Sequence, residues 1–133
     1  MKFSTRTTYG IRAMIRLARN SGQGAMPLSY ISESENISLG YLERLFSKLM
    51  AVKLVVSEKG AAGGYKLSKS PKKINLYDIV SALEGKLSLF HCISGEKELS
   101  CKRGCECGAS TVLTKVQVAI KNTLRKIKLS ELI

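Results

Sequence analysis

All four cysteines of this 133-residue chain, Cys92, Cys101, Cys105 and Cys107, fall within sixteen consecutive positions, and none occurs in the first 91 residues. A disulfide framework spreads its cysteines to staple distant segments and belongs to oxidising compartments, so a cross-linked scaffold is excluded. A tight cluster in a chain of this kind reads instead as a metal or redox site. The opening MKFSTRTTYG lacks the apolar core of a signal peptide. No apolar run approaches the roughly 20 residues that cross a bilayer. A cytoplasmic address without a membrane partner is therefore expected. Hydrophobic residues make up 44% of the chain, enough for one packed domain, or one domain with an appended dimerisation element.

Apolar spacing organises the cysteine-free part. Residues 5–20 carry Tyr9, Ala13 and Leu17, with Ile11, Met14, Ile15 and Ala18, at helical intervals behind a cap at Ser4 or Thr5. A short helix over 28–35 turns at Asn36. Ser38 then caps a second helix to about Val52, with Leu42, Leu45, Phe46 and Leu49 on one face. Two short helices joined by a tight turn describe a helix-turn-helix. Residues 54–57 and 65–67 read as strands around the glycine-rich KGAAGG, so a hairpin wing follows. Those glycines match neither phosphate-loop pattern, G-x-x-x-x-G-K-[S/T] or G-x-G-x-x-G, which argues against nucleotide binding. Asn75 caps a helix over 76–83, closed by Gly85. Residues 86–109 hold the cysteines and show no periodicity. A last helix runs from Ser110 or Thr111 to about Ile127, where Leu113, Val116, Ile120, Leu124 and Ile127 form a narrow, heptad-like seam suited to a second copy of the chain.

Charge adds a partner. Lys and Arg total 22 against 10 acids, a formal net charge of +12. Residues 1–75 hold 13 basic and 4 acidic side chains. A folded module carrying most of the excess is the electrostatic footprint of a polyanion binder.

Taken together, MKFSTRTTYGIRAMIRLA, ISLGYLERLFSKL, GAAGGYKL, INLYDIVSALEG and the closing IKLSELI resemble the iron–sulfur cluster regulator family of winged-helix transcription factors, the IscR and NsrR type, over essentially the full length. The resemblance implies a homodimer whose recognition helices enter two major grooves of a double-stranded operator. It also implies an iron–sulfur cluster, expected as [2Fe–2S], held by three cysteines of which the last two are separated by five residues. Cys92, Cys101 and Cys107 match that set. In the cluster-biogenesis regulators a histidine three residues after the last cysteine completes the site; here that position is Ser110. Cys105, His91, Ser110 or a side chain from elsewhere are the candidates for the fourth ligand, and Cys105 is chemically the best donor. Zinc is the rival metal, but C-x8-C-x3-C-x-C lacks the paired C-x2-C knuckles of zinc modules.

On the DNA side, Ser38, Gly40, Tyr41 and Arg44 lie at the start of the second helix of the pair, where a docked recognition helix meets bases and phosphates. Arg44 suits a fork onto guanine O6 and N7. Lys59 and Gly60 form the wing tip, which suits a minor groove. Thr5, Arg6 and Lys48 are candidates for phosphate contacts that position without specifying. Glu43 is an acid on a groove-facing helix. It either accepts from cytosine N4 or repels the backbone, unless it is a surface charge near Lys48 or Arg44. The resemblance implies that such a glutamate disfavours one class of operator until the cluster changes the helix's surroundings.

The expected architecture is mainly α: a winged helix-turn-helix domain over 1–85 with a small β-hairpin wing, a cysteine-rich loop over 86–109, and a dimerisation helix with its tail over 110–133. The expected function is a DNA-binding regulator of transcription that senses cluster supply, oxidation or nitric oxide and has no small-molecule substrate. One rival is a cluster-free regulator of the same fold working through a thiol switch or a protein partner. The other is an enzyme, for which His91 beside Cys92 is the only Cys/His proximity.

Overall fold

Helical apolar periodicity builds the first half of the molecule as the spacing predicts. The computed structural model describes residues 3–85, 87, 90, 93–94, 98–99 and 107–133. Helix α1 (Thr5–Arg19) buries Ala13, Met14, Leu17 and Ala18, with Tyr9, Ile11 and Ile15 half-buried at the margins of that face. Helix α2 (Leu28–Glu35) turns Leu28 and Ile31 inward and ends where Asn36 takes a left-handed conformation, φ 53°. Helix α3 (Leu39–Ala51) buries Leu42, Leu45, Phe46 and Leu49 against both. These residues and their neighbours form one continuous apolar core, whose burial is the main favourable term in folding.

The end of α3 differs from expectation by one residue. Leu54 does not begin the strand: its N–H bonds the Leu49 carbonyl at 3.0 Å, while the Lys53 N–H bonds that of Met50 at 3.0 Å. With Lys53 at φ 60°, this is a Schellman motif that closes the helix, and Leu54 packs beside Leu49 in the core. Strand β1 (Val55–Glu58) then pairs antiparallel with β2 (Gly64–Leu67), Val55 opposite Leu67 and Glu58 opposite Gly64. A third lane joins this wing. Met26 and Tyr65 exchange both backbone hydrogen bonds at 2.8 Å. That pairing brings the Met26 carbonyl onto Gly64, where any Cβ would collide with it and where φ is 149°; glycine is required.

Pro71–Lys73 form a 3₁₀ turn into helix α4 (Leu76–Glu84). Asn75 caps it by accepting the Asp78 N–H at 2.9 Å, as the sequence indicates. Helix α4 buries Leu76, Ile79, Val80 and Leu83 and lies across α1. Within the cysteine region two short strands, β3 (Ile93–Ser94) and β4 (Glu98–Leu99), pair antiparallel, an element that aperiodic sequence did not announce. Helix α5 (Gly108–Lys126) begins directly after Cys107, two residues earlier than expected, because the Cys107 carbonyl already accepts the Ser110 N–H at 3.1 Å. The tail then returns to the first unit: Leu76 donates to the Ile127 carbonyl at 3.0 Å, Leu129 donates to Ile74 at 2.9 Å, and the Leu129 side chain is fully buried in the core.

Candidate nucleic-acid interface and cysteine segment

The amphipathic pattern of α3 leaves its outer side to solvent. Gly40, Glu43, Arg44 and Lys48 are all exposed; Gly40, Arg44 and Lys48 follow at four-residue steps and Glu43 lies three from Gly40, so they share one face. Ser38, also exposed, stands at the N-cap and accepts the Tyr41 N–H at 3.3 Å. Among the described residues neither Glu43 nor Arg44 enters an ion pair, so the two sit on the helix without neutralising each other or Lys48. Tyr41 is different. It is half-buried, its ring edge-on to Tyr9 at 5.7 Å, and it joins α3 to α1. Lys48 leans toward α4, with Nζ 3.5 Å from the Leu83 carbonyl, where a cation meets the negative end of that helix.

The wing presents Lys59 and Gly60 at its tip, both exposed, with Gly60 at φ 111°. Lys66 pairs with Glu58 across the strands, an exposed pair of small energetic weight. At the start of α1, Thr5 and Arg6 are exposed, and Arg6 lies 3.7 Å from a Glu84 oxygen.

Two acids that sequence reasoning passed over organise the basic charge. Glu35 is 14% exposed and holds both Arg12 (3.1 Å) and Arg16 (2.6 Å), while Arg12 also donates to the Glu35 backbone carbonyl. Burial by itself would raise the Glu35 pKa, but the hydrogen bonds and charges of Arg16 and Arg12 outweigh it and hold the carboxyl below its ordinary value. Glu84, 17% exposed, accepts the Ser4 backbone N–H at 3.0 Å and the hydroxyls of Ser4 and Thr7. Burial again opposes ionisation and is outweighed, here by the Ser4 and Thr7 hydrogen bonds with help from Arg6, and the pKa is lowered. No local pattern marks either acid: their partners lie 19 to 80 residues away in sequence.

Of the cysteine segment, Cys107 is described. It is half-buried at the N-cap of α5. Cys92, Cys101, Cys105 and His91 lie outside the described residues. Ser110, standing where the resemblance places a histidine, is 3% exposed, and its hydroxyl donates to the Cys107 carbonyl at 2.7 Å; its oxygen is folded back onto the helix. Along α5, Ser110, Gln117 and Lys121 are buried, and Arg125 stacks 4.2 Å from the Tyr77 ring centroid on α4. The expected seam lies elsewhere on the helix. Leu113, Ile120, Leu124 and Ile127 are only half-buried, while Val116 and its neighbour Val112 are 37% and 60% exposed.

Comparison with known proteins gives this arrangement its context. A family model described as Rrf2, iron-dependent transcriptional regulator, matches residues 3–133. The helix-turn-helix-type transcriptional regulator IscR of Aliivibrio salmonicida is 36% identical over 132 residues, covering 99% of this chain and 77% of that protein. The IscR of Sodalis glossinidius is 34% identical over 133 residues, 79% of its length. Among solved structures, CymR, the global cysteine regulator of B. subtilis, superposes with a TM-score of 0.81 at 36% identity, covering 99% of this chain and 95% of that one. T. potens IscR superposes at 0.79 with 34% identity, covering 98% and 85%.

Proposed function

This chain belongs to the Rrf2 family of transcriptional regulators, and on that premise we propose that it is an operator-binding homodimer whose grip on DNA depends on an iron–sulfur cluster. DNA binding and the winged helix-turn-helix come with the family; the cluster, the dimer and the contact residues are the further step. On the DNA, the start of α3 enters the major groove, with Arg44 forking onto a guanine and Ser38, Gly40 and the rim of Tyr41 against bases and phosphates. Lys59 and Gly60 bring the wing tip to a minor groove. Thr5, Arg6 and Lys48 hold the backbone. Arg44 and Lys59 suit this use because neither has an acid partner among the described residues.

Cys107 carries the cluster reading. It matches the last of the family's three ligands and stands where the cysteine segment meets α5, so a group bound there is joined directly to the helix that offers its apolar seam to a second copy. The donor set fits: four thiols within sixteen positions supply the soft, charged sulfur that iron–sulfur clusters take. Cys92, Cys101 and Cys107 would hold the cluster, with Cys105 as the fourth thiol available. When bound, the cluster supplies one-electron chemistry and sensitivity to oxygen and nitric oxide. The chain's own part is to fix Cys107 at a helix start and to carry the state of the segment into α5.

A second reading is supported by the absent histidine and by the likeness to a protein titled a cysteine regulator: a cluster-free dimer in which the thiols themselves respond. One experiment separates the two. Protein reconstituted with iron and sulfide under anaerobic conditions should show visible charge-transfer absorption and acid-labile sulfide. Cys92→Ala, Cys101→Ala and Cys107→Ala should each abolish both. A colourless protein supports the thiol reading instead, while full absorption in all three variants overturns the assignment of Cys92, Cys101 and Cys107 as the ligands.

A further inference from the structure

An acid in the last turn of a helix is unfavourable for that helix, because its charge faces the negative end of the macrodipole. Glu84 occupies such a position in α4. Its place is explained by α1, which has no acid in its first turn and no side-chain cap of its own, since the Ser4 hydroxyl accepts from no backbone N–H of the helix. That hydroxyl, the Ser4 backbone N–H and the Thr7 hydroxyl all donate to one Glu84 oxygen, and Arg6 approaches the other at 3.7 Å. A carboxylate 80 residues away in sequence thus supplies the anion and the acceptor that the start of α1 lacks.

The same turn of α4 holds the other DNA-facing helix. The Leu83 carbonyl receives Lys48 of α3, and the Leu83 side chain fills the space over Gly10 of α1 so closely that a Cβ there would collide with it. Gly85 follows, and the cysteine segment begins at once.

We propose that Glu84 is a positioning residue for DNA binding, capping α1 from the end of α4 so that the placement of Thr5 and Arg6 on the phosphate backbone follows the position of α4's last turn. This rests on the reading of Thr5 and Arg6 as backbone contacts. Glu84 acts through the hydrogen bonds it accepts, and a simple electrostatic role has the opposite sign. A carboxylate beside Arg6 that did nothing but offset its charge would weaken attraction to phosphate, and its removal would tighten binding.

The test is a set of titrations on a duplex selected by the wild-type protein from a random-sequence pool, repeated over a range of salt. Glu84→Ala should weaken binding roughly 5- to 15-fold, at or below the low end of what losing hydrogen bonds to a charged group costs directly, because the effect on DNA is indirect. Glu84→Gln keeps an acceptor oxygen for Ser4 and Thr7 and should recover most of that loss. Thr7→Val, nearly isosteric, should weaken binding several-fold, and it keeps the proposal testable if Glu84→Ala fails to fold. Binding by Glu84→Ala that equals or exceeds wild type overturns the proposal, as does Glu84→Gln binding no better than Glu84→Ala. Arg6→Ala separates this from the underlying reading. If Arg6→Ala leaves affinity and salt slope unchanged, Arg6 is no phosphate contact and the proposal falls with it. If it flattens the slope by about one unit while Glu84→Ala binds normally, the contact stands and the positioning role alone is lost.

Discussion

Glu35 shows how a single buried acid decides what basic residues are free to do. Arg12 and Arg16, one turn apart on α1, count toward the basic excess of the first 75 residues, yet both are held by Glu35. They tie α1 to the end of α2 and so fix the turn that aims α3. Replacing Glu35 with Gln removes the charge while keeping the shape, and is expected to cost about 1–3 kcal/mol of stability at neutral pH, the usual penalty for breaking a hydrogen-bonded group away from solvent. The pH dependence has a definite sign. The folded-state pKa lies below the unfolded value, so the contribution is complete above about pH 4.3 and is lost as pH falls through the lower folded value. Denaturant melts of wild type and Glu35→Gln should therefore differ at pH 7, with the gap narrowing as pH falls below the unfolded value of about 4.3; a gap that does not narrow on acidification contradicts the role given to the pair. Arg44 and Glu43 present the reverse case. Both were legible as surface residues of an amphipathic helix, and exposed they are, because period and cap position settle which way a helical side chain points. Tyr41 was not legible in the same way: its contact with Tyr9 depends on how two helices cross.

At the scale of elements, the helix-turn-helix, the wing and the capped α4 follow from local signals that tertiary packing reinforces. Leu42, Leu45, Phe46 and Leu49 were readable as the core face of α3 and are all buried. The third lane at Met26 and the 93–94/98–99 ladder were not, since one or two paired residues are too short to show an alternation. Helix α5 is the instructive element. Its apolar seam is plain in the sequence, but the residues it buries most are three that a hydrophobic pattern ignores, Ser110, Gln117 and Lys121. With those buried, the valines at 112 and 116 stay outside, and a second α5 is the occupant we propose for that side. In a two-fold interface any residue near the axis meets its own copy, so Val116→Glu brings two like charges together at a cost of several kcal/mol. Sedimentation should show the wild type as a dimer and Val116→Glu as a folded monomer, with far-UV dichroism unchanged. A wild type that sediments as a monomer, or a variant that stays dimeric, contradicts the seam as the interface.

Across the whole molecule, two elements meet at the last turn of α4, the start of α1 through Glu84 and helix α3 through Lys48, and the chain runs on from Gly85 toward the cysteines. The cysteine cluster and the excess of positive charge were the strongest signals in the sequence. The contacts that gather α1 and α3 on the end of α4 were hidden, because they join side chains 35 to 80 residues apart. On the proposed function, a group bound by the cysteines would bias the DNA contacts of α1 and α3, and coupling between two such sites is typically worth about 1–3 kcal/mol. The most direct test is an anaerobic anisotropy titration, at one fixed salt concentration, of a duplex selected from a random-sequence pool, using cluster-loaded and cluster-free protein side by side. The two forms should differ in affinity by roughly 5- to 150-fold; affinities that coincide within error, with the cluster confirmed in the loaded sample by its visible absorption, would contradict a regulator whose DNA binding is governed by that site.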